Sequence, residues 1–244
     1  MAVNFLTYNI HGLPWNRINV KGIADWIFRV SGSEAVCLQE VFSKTHRNYL
    51  VQRAESEGWS ALYPEGDATC IPGLECGSGL LTLLHPRLTV IGEPTFKPFK
   101  VVNGVDRFVS KGYFKVDIST GLHNFQLFNT HMQSDVTEFW CYRLNYVATR
   151  SEQEKQLFLA ATKEECPLIL GDTNTCCFQY FHKVDPTFNI TFPGTGEHLD
   201  HLLVLERDAN KLEYATTIYH VNVPWSDHIP VDYCVRFIRR SGRV

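Results

Sequence analysis

The chain has 244 residues, with 26 Asp and Glu against 23 Lys and Arg and a formal net charge of −3. That balance excludes bulk attraction to nucleic acid or anionic lipid and leaves room only for a local basic groove. Hydrophobic content of 44% and charged content of 20% describe an ordinary globular chain, and no run approaches the roughly 18 apolar residues of a membrane span.

In chain order, the first strand-like run starts at Val3 and is clearest over residues 5–8. The chain as given therefore carries no signal peptide; the expected location is cytoplasmic, with a trimmed secreted form as the alternative. Helical spacing follows over 18–30, with Ile23, Trp26, Ile27 and Val30 on one face. A strand is expected at 35–38, a helix around 47–57, and strands at 79–84, 113–118 and 125–128. The strongest helical pattern covers 143–163, and strands follow at 168–170, 202–205 and 234–238. Many short strands interrupted by long helices predict an α/β protein with packed sheets and helices outside. No repeat or linker divides the chain, so one domain over 1–244, acting as a monomer, is the economical expectation.

Eight cysteines include no C-x-x-C pair, which disfavours structural zinc. Cys37 and Cys234 lie in apolar runs and read as core thiols, while Cys70 and Cys76, in a glycine-rich loop, are candidates for a small disulfide. The C-terminal "RFIRRSGRV", with Arg236, Arg239, Arg240 and Arg243, reads as a solvated edge strand and tail, with a phosphate-rich partner second.

The strand ends carry the chemistry. "FLTYNIHG" ends on Asn9 and His11, "AVCLQEV" on Gln39 and Glu40, "FQLFNTHMQSD" on Asn129, His131 and Gln133, and "LILGDTNT" on Asp172 and Asn174. "HLDHLLV" (Asp200, His201) and "WSDHIPV" (Asp227, His228) precede their strands instead. In an antiparallel sheet, the end of one strand and the start of its neighbour share an edge, so all six clusters are expected at one rim. Glu40, Asp172, Asp227 and the amides of Asn9 and Asn174 offer hard oxygens, which suit Mg²⁺, Mn²⁺ or Ca²⁺ better than Zn²⁺. His131 and His228 add groups able to act as a base or as phosphate donors near neutral pH. Together they point to water attacking a phosphoryl centre beside a divalent ion. The chain has neither a GxSxG elbow nor a GxxxxGK[ST] phosphate loop.

"TYNIHGLP", "LQEVF", "THMQSD", "GDTN", "LDHLLV" and "SDHIPV", in this order, resemble the endonuclease/exonuclease/phosphatase superfamily with its deoxyribonuclease-I-like fold. The resemblance implies a four-layer α/β sandwich of two packed mixed, mainly antiparallel sheets with helices outside. It implies Glu40 as the Mg²⁺ ligand, with Asn9 holding the ligand shell and Asp227 near the metal. Asp172 and Asn174 would bind the attacking water, the phosphate or a second ion. His228 would be the general base oriented by Asp200, and His131 would donate to the phosphate or its leaving oxygen. His11 is expected on the rim near the metal shell.

Within the superfamily, "SKGYFKVDI", "THMQSD" and "GEHLDHLLV" look most like neutral and bacterial sphingomyelinases, which brings in Lys111 as a phosphate-side cation and Gln133 beside the substrate. "EFWCY", with Phe139, Trp140 and Tyr142, reads either as packing for the long helix or as a wall contacting lipid or base. The stretch before "SDHIPV" is short, and His201 stands where Tyr is usual. The expected function is a Mg²⁺-dependent phosphodiesterase releasing a phospholipid headgroup, with possible peripheral membrane contact. A metal-dependent nuclease or nucleic-acid end-processing enzyme is the alternative, and a catalytically silent binding module of the same fold the third.

Overall fold

The structure, a computed structural model, describes residues 2–13, 15–65, 77–135, 137–138, 142–143, 146–184, 190–218 and 225–238, with only the backbone at 137–138, 142–143 and 218. In order the elements are β1 (Ala2–Asn9), α1 (Val20–Arg29), β2 (Ala35–Gln39), α2 (Lys44–Ser56), β3 (Ser60–Leu62), β4 (Leu81–Leu84), β5 (Thr89–Val90) and β6 (Thr95–Pro98). A 3₁₀ turn (Gly104–Phe108) precedes β7 (Gly112–Ser119), β8 (Asn124–His131), β9 (Thr137–Glu138), β10 (Tyr142–Arg143) and α3 (Val147–Ala161). The chain continues with β11 (Pro167–Asp172), β12 (Phe181–Lys183), β13 (Asp200–Leu205), α4 (Glu206–Ala209), β14 (Leu212–Ile218) and β15 (Val231–Phe237).

Apart from the β9–β10 ribbon, the described strands form two mixed sheets, as the resemblance implies. One runs β14-β15-β1-β2-β4-β3; the other runs β12-β13-β11-β8-β7-β5, with β6 also on β7. Only β1–β2 and β8–β11 are parallel among the described pairs. Phe5, Cys37, Phe125, Leu168, Leu202 and Val235 fill the space between the sheets. Their neighbours Leu6, Val36 and Leu38 face α1 and α2 through Ile23, Trp26, Ile27, Leu50 and Ala54. On the far side, Phe128, Ile169 and Leu203 meet Leu157 and Ala161 of α3. Strands covered on both faces explain why these runs read as continuously apolar and not as alternating. The layers are helix, sheet, sheet, helix.

Several expectations change. Val30 is 64% exposed, because α1 ends at Arg29 and Val30 is only its cap. The long helix begins at Val147, not near 143; Arg143 belongs to the β9–β10 ribbon. The run at 234–238 is no edge strand: β15 lies between β14 and β1, and Arg236 pairs with Glu213 across to the true edge. Cys70, Cys76, Trp140, Phe139, Arg239, Arg240 and Arg243 lie outside the described residues, and so does the Tyr142 side chain.

The two parallel pairs deliver the chemistry to one edge. Asn9 is level with Gln39, and Asp172 with His131. The antiparallel partners begin where those strands end, with Asp172 opposite Asp200, Gly112 opposite His131 and Val231 opposite Thr7. The seam between β8 and β11 is tight at Gly171, where an added Cβ would lie 1.9 Å from the Thr130 carbonyl oxygen. Gly171→Ala is expected to cost on the order of 3 kcal/mol of stability, because backbone rather than a flexible side chain must give way. Urea unfolding of the variant checks this, and an unchanged midpoint would contradict it.

Candidate active site

All six polar clusters meet at this edge, around a cavity of about 370 Å³ whose walls include Glu40, His131, Asp172, Asn174, Asp227 and His228. Every non-glycine residue with positive φ among the described residues is here: His11 (φ 49), Glu40 (φ 56) and Asn174 (φ 53). Such backbone is disfavoured for L residues and concentrates at functional sites, where the surroundings hold a side chain in one direction.

Asn9 joins the two sheets. Its Nδ2 donates to Glu40 Oε1 at 3.0 Å and to Asp172 Oδ2 at 2.9 Å, while its Oδ1 accepts from the His11 backbone at 3.0 Å. Both carboxyls have pKa values raised above the ordinary range, first of all by burial. No Lys or Arg is among the described residues lining the cavity. Two adjacent hard carboxylates with little compensating charge at the cavity wall suit a hard divalent cation. Asp172, Asp200 and His228 also bring one possible ligand atom each within 4.8 Å of one another. In that trio, however, His228 Nδ1 is engaged with Asp200, which leaves Glu40 and Asp172 as the better-suited hard-oxygen pair.

His228 Nδ1 lies 2.8 Å from Asp200 Oδ2, and its Nε2 lies 3.6 Å from Asp172 Oδ2. With Asp200 as acceptor, Nδ1 carries a proton and Nε2 faces the cavity wall. Burial alone would lower this imidazole's pKa; the charges of Asp200 and Asp172 and the Asp200 hydrogen bond outweigh burial and push it up to about 10. Ser226 fastens the loop beneath, donating to the Asn9 carbonyl at 2.6 Å and accepting from the His228 backbone at 3.1 Å. Phe192 lies against the imidazole, with ring centroids 4.8 Å apart. Asp227 pairs with His11 at 3.0 Å, and that bond raises the His11 pKa.

His131 sits between Lys111 and the two carboxylates. Its Nε2 lies 2.6 Å from Lys111 Nζ, 3.6 Å from Asp172 and 3.8 Å from Glu40. Burial, then the Lys111 charge, hold its pKa well below the ordinary value, so the ring is neutral. With the ammonium as donor, Nε2 accepts. Lys111 itself is 3% exposed and also donates to the Met132 carbonyl, with Asp106 3.5 Å away. Gln133 is fully buried: its amide donates to Asp106 and accepts from the Asn103 backbone. That geometry makes Gln133 a brace for the 99–108 segment. Asn174 donates from Nδ2 to the Met132 carbonyl at 3.1 Å, and its backbone donates to Asp172. His201, in the position where Tyr is usual, bonds the Thr175 and His198 carbonyls and supports the same loop.

Sequence reasoning did not single out Asp106, Ser226 or Phe192. Ser226 and Asp106 were visible, one inside "SDH" and the other five residues before Lys111, whereas Phe192 has no local signal.

No family model and no curated protein matches the chain. Solved structures do. Sphingomyelinase C from Streptomyces griseocarneus is similar at a TM-score of 0.70 with 19% identity, covering 96% of this chain and 99% of that one. The endonuclease/exonuclease/phosphatase from Beutenbergia cavernae aligns at 0.72 with 16% identity, covering 97% of this chain and 72% of that one. D. rerio TDP2, complexed with a single-strand DNA product, aligns at 0.69 with 14% identity, covering 96% and 99%. The chain has the fold of these structures, a deoxyribonuclease-I-like α/β sandwich, with a sphingomyelinase and an endonuclease/exonuclease/phosphatase among the proteins that share it.

Proposed function

We propose that this chain is a divalent-metal-dependent phosphodiesterase in which His228 activates the attacking water. The observation that carries the reading is the Asp200–His228 pair at 2.8 Å, set beside a Glu40–Asn9–Asp172 chain of hydrogen bonds at one cavity wall. Asp200 holds the imidazole by Nδ1, so Nε2 is the atom that takes the proton from water. Asn9 fixes the directions of Glu40 and Asp172 with one amide. Asp172 and Asn174 position the water and the phosphoryl group, and the Lys111–His131 pair places positive charge behind them. A bound Mg²⁺, or Mn²⁺ or Ca²⁺ with the same preference for hard oxygen, would polarise the phosphoryl oxygens and steady the leaving oxygen. Glu40 would hold it, with Asp172 and Asp227 beside it.

The substrate reading supported best is a phospholipid headgroup ester. Trp15 (63% exposed) follows His11 by four residues and Phe108 (52% exposed) precedes Lys111 by three, so large exposed hydrophobic side chains lie close along the chain to residues of the site. Exposed apolar side chains close in sequence to an acid-lined cavity suit an interfacial substrate better than a polyanion. Trp15→Ala with Phe108→Ala is expected to slow hydrolysis of sphingomyelin in vesicles roughly tenfold and to leave a small soluble phosphodiester unaffected. Equal losses on both would contradict a surface role.

One observation favours a nucleic-acid substrate as the second reading. Lys97, Lys100, Lys155 and Lys163 line a depression of about 660 Å³ between β6 and α3, with Glu152 its one acid. Parallel assays on sphingomyelin vesicles and on single- and double-stranded DNA and RNA, with Mg²⁺ or chelator, separate the readings. Phosphocholine release supports the lipid. Nucleotide release with steep salt dependence and no phosphocholine overturns it.

A further inference from the structure

The loop that leaves the site through Asn174 continues into two adjacent cysteines. Neighbouring side chains in extended backbone point to opposite faces, yet the Cys176 and Cys177 sulfurs lie only 3.7 Å apart and both residues are exposed. Cys177 also opens onto a cavity of about 300 Å³ beside Val147 and Ser151 of α3, which gives a small reagent room to approach. We propose that Cys176 and Cys177 form a dithiol site that low-molecular-weight disulfides oxidise to a vicinal disulfide, disturbing Asn174.

The chemistry balances as two thiol–disulfide exchanges. One cysteine thiolate attacks a reagent sulfur and expels one reagent thiolate, leaving a mixed disulfide. The neighbouring thiolate then displaces the second reagent thiolate and closes the Cys176–Cys177 bond. Two protein thiols are oxidised and one reagent disulfide is reduced to two thiols.

The site stands apart from the other described cysteines. Cys37 is fully buried and Cys166 and Cys234 are half-buried, whereas Cys176 and Cys177 are exposed and adjacent, so a reagent reaches only this pair freely among the described cysteines. Closing the ring must bring the sulfurs from 3.7 Å to about 2 Å within one dipeptide. Disulfides strained in this way are the readily reduced, regulatory ones. The strain falls on Thr175, whose Oγ accepts from the Cys177 backbone at 3.3 Å and whose carbonyl is anchored by His201 and Thr173. Asn174 comes directly before it, already at φ 53 and bonded to Met132 and Asp172. Small displacements of such a positioning group carry large rate penalties.

This inference concerns regulation of the same site and rests on the phosphodiesterase reading only for its rate measurement. The test treats the intact chain with hydroxyethyl disulfide and follows the peptide containing Cys176 and Cys177 by mass spectrometry, with hydrolysis measured in parallel. The expected result is a loss of two hydrogens from that peptide and a fall in rate on the order of tenfold or more, both reversed by reductant. A Cys176→Ser/Cys177→Ser protein should keep its rate under the same treatment. Cysteines that stay reduced, or that carry two separate adducts, overturn the dithiol site. A disulfide that forms without changing the rate overturns the coupling to Asn174. A reduced protein inactive on every phosphodiester counts against the phosphodiesterase reading, and the mass measurement then decides the dithiol by itself.

Discussion

The His228→Ala protein is expected to hydrolyse phosphodiesters roughly a hundredfold to ten-thousandfold more slowly than the parent chain. Its fold should change little, because the Glu40–Asn9–Asp172 chain does not pass through the imidazole, and its cation affinity should hold or rise, because a positive charge beside the carboxylates is gone. The same residue sets the pH dependence. His228 accepts a proton only when neutral, yet without a cation Asp200 and Asp172 outweigh burial and hold its pKa at about 10. A cation held by Glu40 and Asp172 would offset part of that negative charge and lower the His228 pKa. The rate should therefore rise with pH, at a midpoint that moves down as Mg²⁺ increases, and cation binding at pH 8 should release protons. Stability of the cation-free protein follows the opposite slope. A histidine whose folded pKa is raised contributes stability fully below its ordinary value of 6.5 and loses it as pH climbs towards about 10. Calorimetric titration in buffers of different ionisation enthalpy measures the protons; no release would contradict the coupling between cation and imidazole.

Glu40→Gln carries the second large effect. The substitution keeps the shape and an oxygen to accept from Asn9, but removes the charge that a hard cation needs. Loss of an outer partner already costs roughly 10- to 100-fold in affinity, so loss of the proposed direct ligand should cost at least about 100-fold, with a matching fall in rate that high Mn²⁺ partly restores. Stability without a cation should hold or improve, because burial already raises the Glu40 pKa and penalises its charge. A Glu40→Gln protein with unchanged cation affinity would place the ion elsewhere, at the Asp172–Asp200–His228 trio.

Much of this was legible in the sequence, and the reasons are specific. Core strands such as β11 and β13 are covered on both faces, so their apolar runs are dense and easily seen. The short strands β5, β6 and β12 are exposed or half-buried in part and carry no such signal. The convergence of Asn9, Glu40, His131, Asp172, Asp200 and His228 could be anticipated because strand ends and starts share an edge. Individual contacts could not. Gln133 bracing Asp106, Lys111 donating to His131, and the start of α3 at Val147 depend on loops meeting in space. Val30 shows the same limit: it fits the helical period but falls one residue past the last turn.

The most direct test of metal-assisted, His228-driven hydrolysis is the rate on a soluble chromogenic phosphodiester, which bypasses the question of surface binding. It would be measured for the parent and His228→Ala proteins, each with Mg²⁺ and with chelator. The expected result is turnover by the parent protein with Mg²⁺ alone, abolished by chelator and reduced at least about a hundredfold in the variant. Equal rates in the two proteins, or full activity in chelator, would contradict it.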